Sequence, residues 1–135
     1  MKPLAIWLAA IAVVFGGYAL VASSTQNTLR VFVFVDSSNP MTDVWRHVPG
    51  ELDRIGDAER SEFALAHGQR QAVELLHSWQ SELRLSGVEP FAPCSFDALD
   101  DFTEAAEADK RILVTTTDSC DTSALVGWDI IALEP

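Results

Sequence analysis

Hydrophobic and polar positions alternate along this chain in three regimes. The first is an uncharged run of 19 residues from Leu4 to Ala22, LAIWLAAIAVVFGGYALVA. At about 1.5 Å per helical residue it nearly matches the roughly 30 Å hydrocarbon thickness of a bilayer. A cleavable secretory signal has a shorter apolar run, about 7 to 15 residues, and Trp7 and Tyr18 stand near the two ends of this one as interfacial rings do. The pattern predicts a retained signal-anchor helix over residues 1–24, a polar linker at 25–28 and a folded domain over 29–135.

The second regime is a set of short apolar runs without alternation. LRVFVFV, residues 29–35, places β-branched and aromatic side chains on both parities, which predicts a central strand covered on both faces. RILVTTT (111–117) and WDIIAL (128–133) predict two more strands, and VEPFA (88–92) a weak edge strand because of Pro90. The third regime is helical. Asn39 and Pro40 read as cap and first residue of a short helix bearing Val44, Trp45 and Val48, which Pro49-Gly50 interrupts. From Asp57 as N-cap, the residues Leu65, Ala72, Leu76, Trp79 and Leu83 share one helical face until Ser86-Gly87. Ser95 caps a further helix with Phe96, Leu99, Phe102 and Ala106 inward. Strands alternating with helices predict the α/β class: a small open, mostly parallel four-stranded sheet with helices on its faces.

Charge sharpens the picture. All 20 acidic residues follow the apolar run, against eight of the nine basic ones, so the domain carries a net −12. Such a surface repels phosphate backbones, and nucleic acid is excluded as a partner. Lys2 and the amino terminus are the only cations before the run, which predicts a cytoplasmic N-terminus and a periplasmic or extracellular domain, held in the cell's inner membrane by one pass. Ala5, Ala9, Ala12, Gly16 and Ala19 form a stripe of small residues that lets a second membrane helix approach closely, from a membrane-protein partner or a second copy.

Ligands of open parallel sheets bind beyond the carboxyl ends of the strands. Asp36-Ser37-Ser38-Asn39, Cys94-Ser95 and Thr116-Thr117-Asp118-Ser119 follow predicted strands and are expected on that rim. Cys94 and Cys120 fall there too, and in an oxidising compartment they are expected to form a disulfide. His47, His67 and His77 lack metal-ligand spacing. No Gly-x-Ser-x-Gly, phosphate loop or dinucleotide fingerprint is present, so no enzymatic activity is expected.

Two local likenesses carry function. VFVFVDSSNPM and RILVTTTDS resemble the first strand with its Asp-x-Ser-x-Ser loop and the strand with its Thr-Asp-Gly of von Willebrand factor A domains. That resemblance implies Asp36, Ser38 and Asp118 as ligands of Mg²⁺, or of Ca²⁺. Here Pro40 replaces the second serine and Ser119 the glycine. SEFALAHGQRQAVELL, residues 61–76, is similar to a helix of peptidoglycan-binding domains of the outer-membrane-protein-A type, which implies cell-wall binding. The expectations are thus an anchored interaction or scaffold subunit with an extracytoplasmic protein partner and no cofactor, or a metal- or small-ligand-binding module.

Overall fold

The structure, a computed structural model, describes residues 28–58, 60–70 and 72–135. The predicted anchor, with Ala5, Ala9, Ala12, Gly16 and Ala19, lies outside them. Among the described residues no helix is long and apolar enough to cross a membrane.

The fold is mixed α/β around a five-stranded, mostly parallel sheet in the order β3-β2-β1-β4-β5. β1 (Leu29–Val35) is the central strand, paired in parallel with β2 (Ser61–Gly68) and β4 (Lys110–Thr116). β5 (Asp129–Leu133) pairs in parallel with β4, and β3 (Val73–Gln80) closes the other edge antiparallel to β2. The double parity of β1 has the predicted cause. Val31, Val33 and Val35 face one core with Met41, Val48 and Leu52, while Phe32 and Phe34 face a second with Phe96, Leu99 and Trp128. Phe32 meets Trp128 edge-on at 5.8 Å and Phe34 meets Phe96 at 6.1 Å, as ring quadrupoles favour.

The helical elements depart from the expected ones. A 3₁₀ turn over Asn39–Asp43 has Ser38, not Asn39, at its N-cap, and a second spans Trp45–His47. Helix α1 (Val48–Gly56) then begins where an interruption was expected. Pro49 sits in its first turn, where the missing N–H has no helical partner to lose. Asp57 is the C-cap of α1 rather than the N-cap of a following helix.

The long helix expected from Asp57 to Ser86 is instead the β2–β3 hairpin. Phe63 and Leu65 point into one core and Ala64 and Ala66 into the other, so β2 is buried on both faces. The turn closes at Gln69 N–H to the Ala72 carbonyl, 2.6 Å. The helical spacing of Leu65, Ala72, Leu76, Trp79 and Leu83 coincides with strand burial, and tertiary pairing overrides local propensity. This removes the helix on which the likeness to peptidoglycan-binding domains rested. The residues 88–92 supply one bridge, Ala92 to Ser38, rather than a strand. The helix after Ser95 is a 3₁₀ turn (Leu99–Asp101) and a short helix α2 (Thr103–Glu107), broken by the extended backbone of Phe102. Its buried alanine is Ala105, and Ala106 is exposed.

Candidate functional site

The order of the strands selects one place in the sheet. The chain leaves β1 toward β2 on one side, while β4 and β5 extend the sheet on the other, so the winding reverses between β1 and β4. Crevices for ligands open at the carboxyl ends of such a strand pair. Here the register Val35↔Val114 sets Asp36 beside Thr115, and the Asp36 N–H donates to the Val114 carbonyl at 2.9 Å.

Asp36 is 2% exposed. A buried carboxylate needs donors for its lone pairs, and three local groups supply them. Its Oδ1 accepts the Ser38 N–H at 2.9 Å, the two-residue turn that aspartate forms after a strand. Its Oδ2 accepts the Thr115 hydroxyl at 2.7 Å and the Ser119 hydroxyl. Since Ser119 gives its proton to the carboxylate, the 3.4 Å contact between the Ser38 and Ser119 hydroxyls has Ser38 as donor. Ser37 donates to the Gly68 carbonyl at 2.6 Å, and Thr116 to the Leu133 carbonyl at 3.0 Å. The rim therefore ties the carboxyl ends of β1, β2, β4 and β5 together through side-chain hydroxyls.

The predicted triad divides. Asp36 and Ser38 are buried and adjoining, but Asp118 is exposed, and the residue of its loop that reaches Asp36 is Ser119. Among the described residues no group of three or more histidine, cysteine, aspartate or glutamate side chains is placed to hold a metal ion. Three donors occupy the Asp36 carboxylate, one on Oδ1 and two on Oδ2, which leaves a lone pair of Oδ1 without a donor among these three. Thr115 and Ser119 are the partners that sequence reasoning did not assign. Their signal was present: once β1 and β4 are neighbours in parallel, the residue after Val35 falls beside the residue after Val114.

Cys94 and Cys120 form a disulfide with Cα atoms 5.4 Å apart, as expected. It fastens the loop after β4 to the segment that precedes the 3₁₀ turn at Leu99. In that loop Asp121 accepts the Ser123 N–H at 2.9 Å, and this backbone hydrogen bond holds its carboxyl below the usual range. Beside the rim a cleft of about 360 Å³ opens between His67–Arg70 and Gly87–Ala92. His67, nine-tenths buried, places Nδ1 2.9 Å from the Gly68 carbonyl and Nε2 4.0 Å from Glu74. His77 Nδ1 lies 2.9 Å from the Ser78 carbonyl and His47 is exposed.

Gly68 makes a close backbone approach on this rim. A Cβ there would lie 3.1 Å from the Ala92 Cβ and 3.1 Å from the Ser37 hydroxyl oxygen. Gly68→Ala is expected to cost about 1–3 kcal/mol of unfolding free energy, the usual range for overpacking, read as a lower urea midpoint at unchanged slope.

No family model, curated protein or solved structure matches this chain.

Proposed function

We propose that this chain is a single-pass membrane-anchored interaction protein whose acidic α/β domain lies outside the cytoplasm as an accessory subunit of a membrane or envelope assembly. The observation that carries this reading is the 19-residue uncharged run Leu4–Ala22, which stops seven residues before β1 begins at Leu29. The central strand thus starts at the membrane side. Seven strand residues, at about 3.3 Å each, carry the chain some 20 Å away from it. The Asp36 rim stands at the far end, where an external protein can reach it.

In this reading the small-residue stripe packs against another membrane helix by close van der Waals contact. Cross-linking of the full chain in mild detergent is expected to give a discrete adduct, with a partner or a second copy. The substitutions Ala12→Leu and Gly16→Leu should abolish it. An adduct unchanged by both, or a lone monomer throughout, removes the docking role of the helix.

A second reading, a divalent-cation site at the rim, is favoured by one observation: β1 and β4 bring Asp36, Ser38 and Ser119 into contact. A ligand at 100 times its dissociation constant stabilises the folded form by about 2.7 kcal/mol. On this reading melting should rise with Mg²⁺ or Ca²⁺, and identical melting in Mg²⁺, Ca²⁺ and EDTA removes it. A rise with either ion that EDTA reverses would make the metal reading the primary one.

A further inference from the structure

The amino end of the sheet differs from the rest of this acidic domain. Five of the eight cations that follow residue 28 gather there: Arg30, Arg54, Arg60, Lys110 and Arg111. They sit at the starts of β1 and β4, at the end of α1 and just before β2. Among the described residues four large hydrophobic side chains are exposed. Leu29 (43%), Ile130 (43%) and Val126 (83%) belong to this end, at the start of β1, in the first half of β5 and three residues before β5. The fourth, Phe91, lies in the segment beside the opposite rim.

Four of these five cations are paired with carboxylates, Arg54 with Glu51 among them. Arg30 faces Glu62 at 3.7 Å and Glu107 at 3.5 Å, Lys110 faces Asp129 at 3.1 Å, and Arg111 faces Asp100 at 3.4 Å. Two of these cations also lie over indole rings, Arg30 at 5.2 Å from Trp79 and Arg111 at 6.0 Å from Trp128. Paired charges, tryptophans and exposed aliphatic groups are the composition that the bilayer–water interface accepts, since apolar stems can enter while charged heads stay wet. Between α1 and the sheet the same end opens a groove of about 370 Å³, with Val31, Ile55, Phe63, Ile112 and Ile131 in its walls.

We infer that the amino end of the sheet rests on the lipid bilayer, with Leu29, Val126 and Ile130 in its interfacial zone, so that the domain is oriented as well as tethered. The inference rests on the anchor proposed above. Residues 23–28 between the uncharged run and β1 span at most about 20 Å when extended, so this end cannot leave the neighbourhood of the membrane. Because four of its five cations are already paired within the domain, contact depends on apolar groups and not on anionic lipid.

The test uses the full chain in phosphatidylcholine nanodiscs containing a nitroxide-bearing phosphatidylcholine, with methyl resonances of leucine, isoleucine and valine as reporters. Relaxation enhancement at Leu29, Val126 and Ile130 is expected to exceed that at Val88 and Leu133 by roughly tenfold, since a strand length of about 20 Å separates the two ends. The ratio should be the same when phosphatidylglycerol is added. A chain held in the nanodisc with equal enhancement at all five methyls overturns the inference and leaves the anchor standing. Enhancement that appears only with phosphatidylglycerol overturns it as well, as does a particle of two chains in which these methyls are shielded from lipid by the second copy. A chain that does not incorporate into the nanodisc overturns the anchor and the inference with it.

Discussion

Replacing Asp36 by alanine is expected to destabilise the domain by about 3–5 kcal/mol, a large part of the roughly 5–15 kcal/mol that holds a domain of this size together. The carboxylate is 2% exposed and accepts the Ser38 N–H and the Thr115 and Ser119 hydroxyls. Alanine strands all three donors. The hydroxyls can rotate toward other acceptors, but the Ser38 N–H is fixed by the backbone and loses its partner outright. Asp36→Asn keeps the shape and one acceptor oxygen, so it should cost less, about 1–2 kcal/mol. Urea unfolding of both variants gives the comparison. A loss for alanine that exceeds the loss for asparagine marks Asp36 as a structural tie of the rim. Equal losses for the two variants, or a gain in stability, would contradict that role.

Loss of the Cys94–Cys120 disulfide is the second large effect. The bridge spans a sequence separation of 26 residues, and the chain-entropy relation gives about 3.5 kcal/mol for such a loop. The double substitution Cys94→Ser, Cys120→Ser should lower the unfolding free energy by about that amount, and reduction of the native chain should match it. The bridge also holds the loop from which Ser119 reaches Asp36. The two losses are therefore coupled: in a double-mutant cycle the triple variant with Asp36→Ala should fall short of the summed costs by about 0.5–3 kcal/mol, the range found for residues that share a network. Strict additivity would show that the disulfide steadies its loop without steadying Ser119.

The parts of this fold that were legible in the sequence are those where burial leaves one pattern available. Val31 to Val35 on both parities could only be a doubly covered strand, and β4 follows the same rule from Ile112 to Thr116, whereas β5, at the sheet edge, was legible only as a short apolar run. The class, the parallel core of the sheet and the rim holding Asp36, Ser38 and Ser119 came from these runs. What failed was the choice between helix and strand where two periods overlap. Leu65, Leu76 and Trp79 fit a helical face, yet Ala64 and Ala66 are as deeply buried as Leu65, and alanine gives no contrast for a period to show. Gly68 was the local warning, since it ends β2 and makes the close approach to Ala92. Pro49 misled in the opposite direction because proline both interrupts helices and begins them. At the site, Asp118 was the natural acidic partner by sequence. The loop instead turns Ser119 toward Asp36, and a hydroxyl solves the burial of a carboxylate better than a second negative charge does.

The proposed function depends on which side of a membrane the acidic domain occupies. In cells with an intact cytoplasmic membrane, protease admitted to its outer face should degrade the domain spanning Leu29 to Pro135 and leave the segment around Leu4–Ala22 in the membrane fraction. A domain that survives until the membrane is lysed, or a chain released from the membrane by alkaline carbonate, would contradict it.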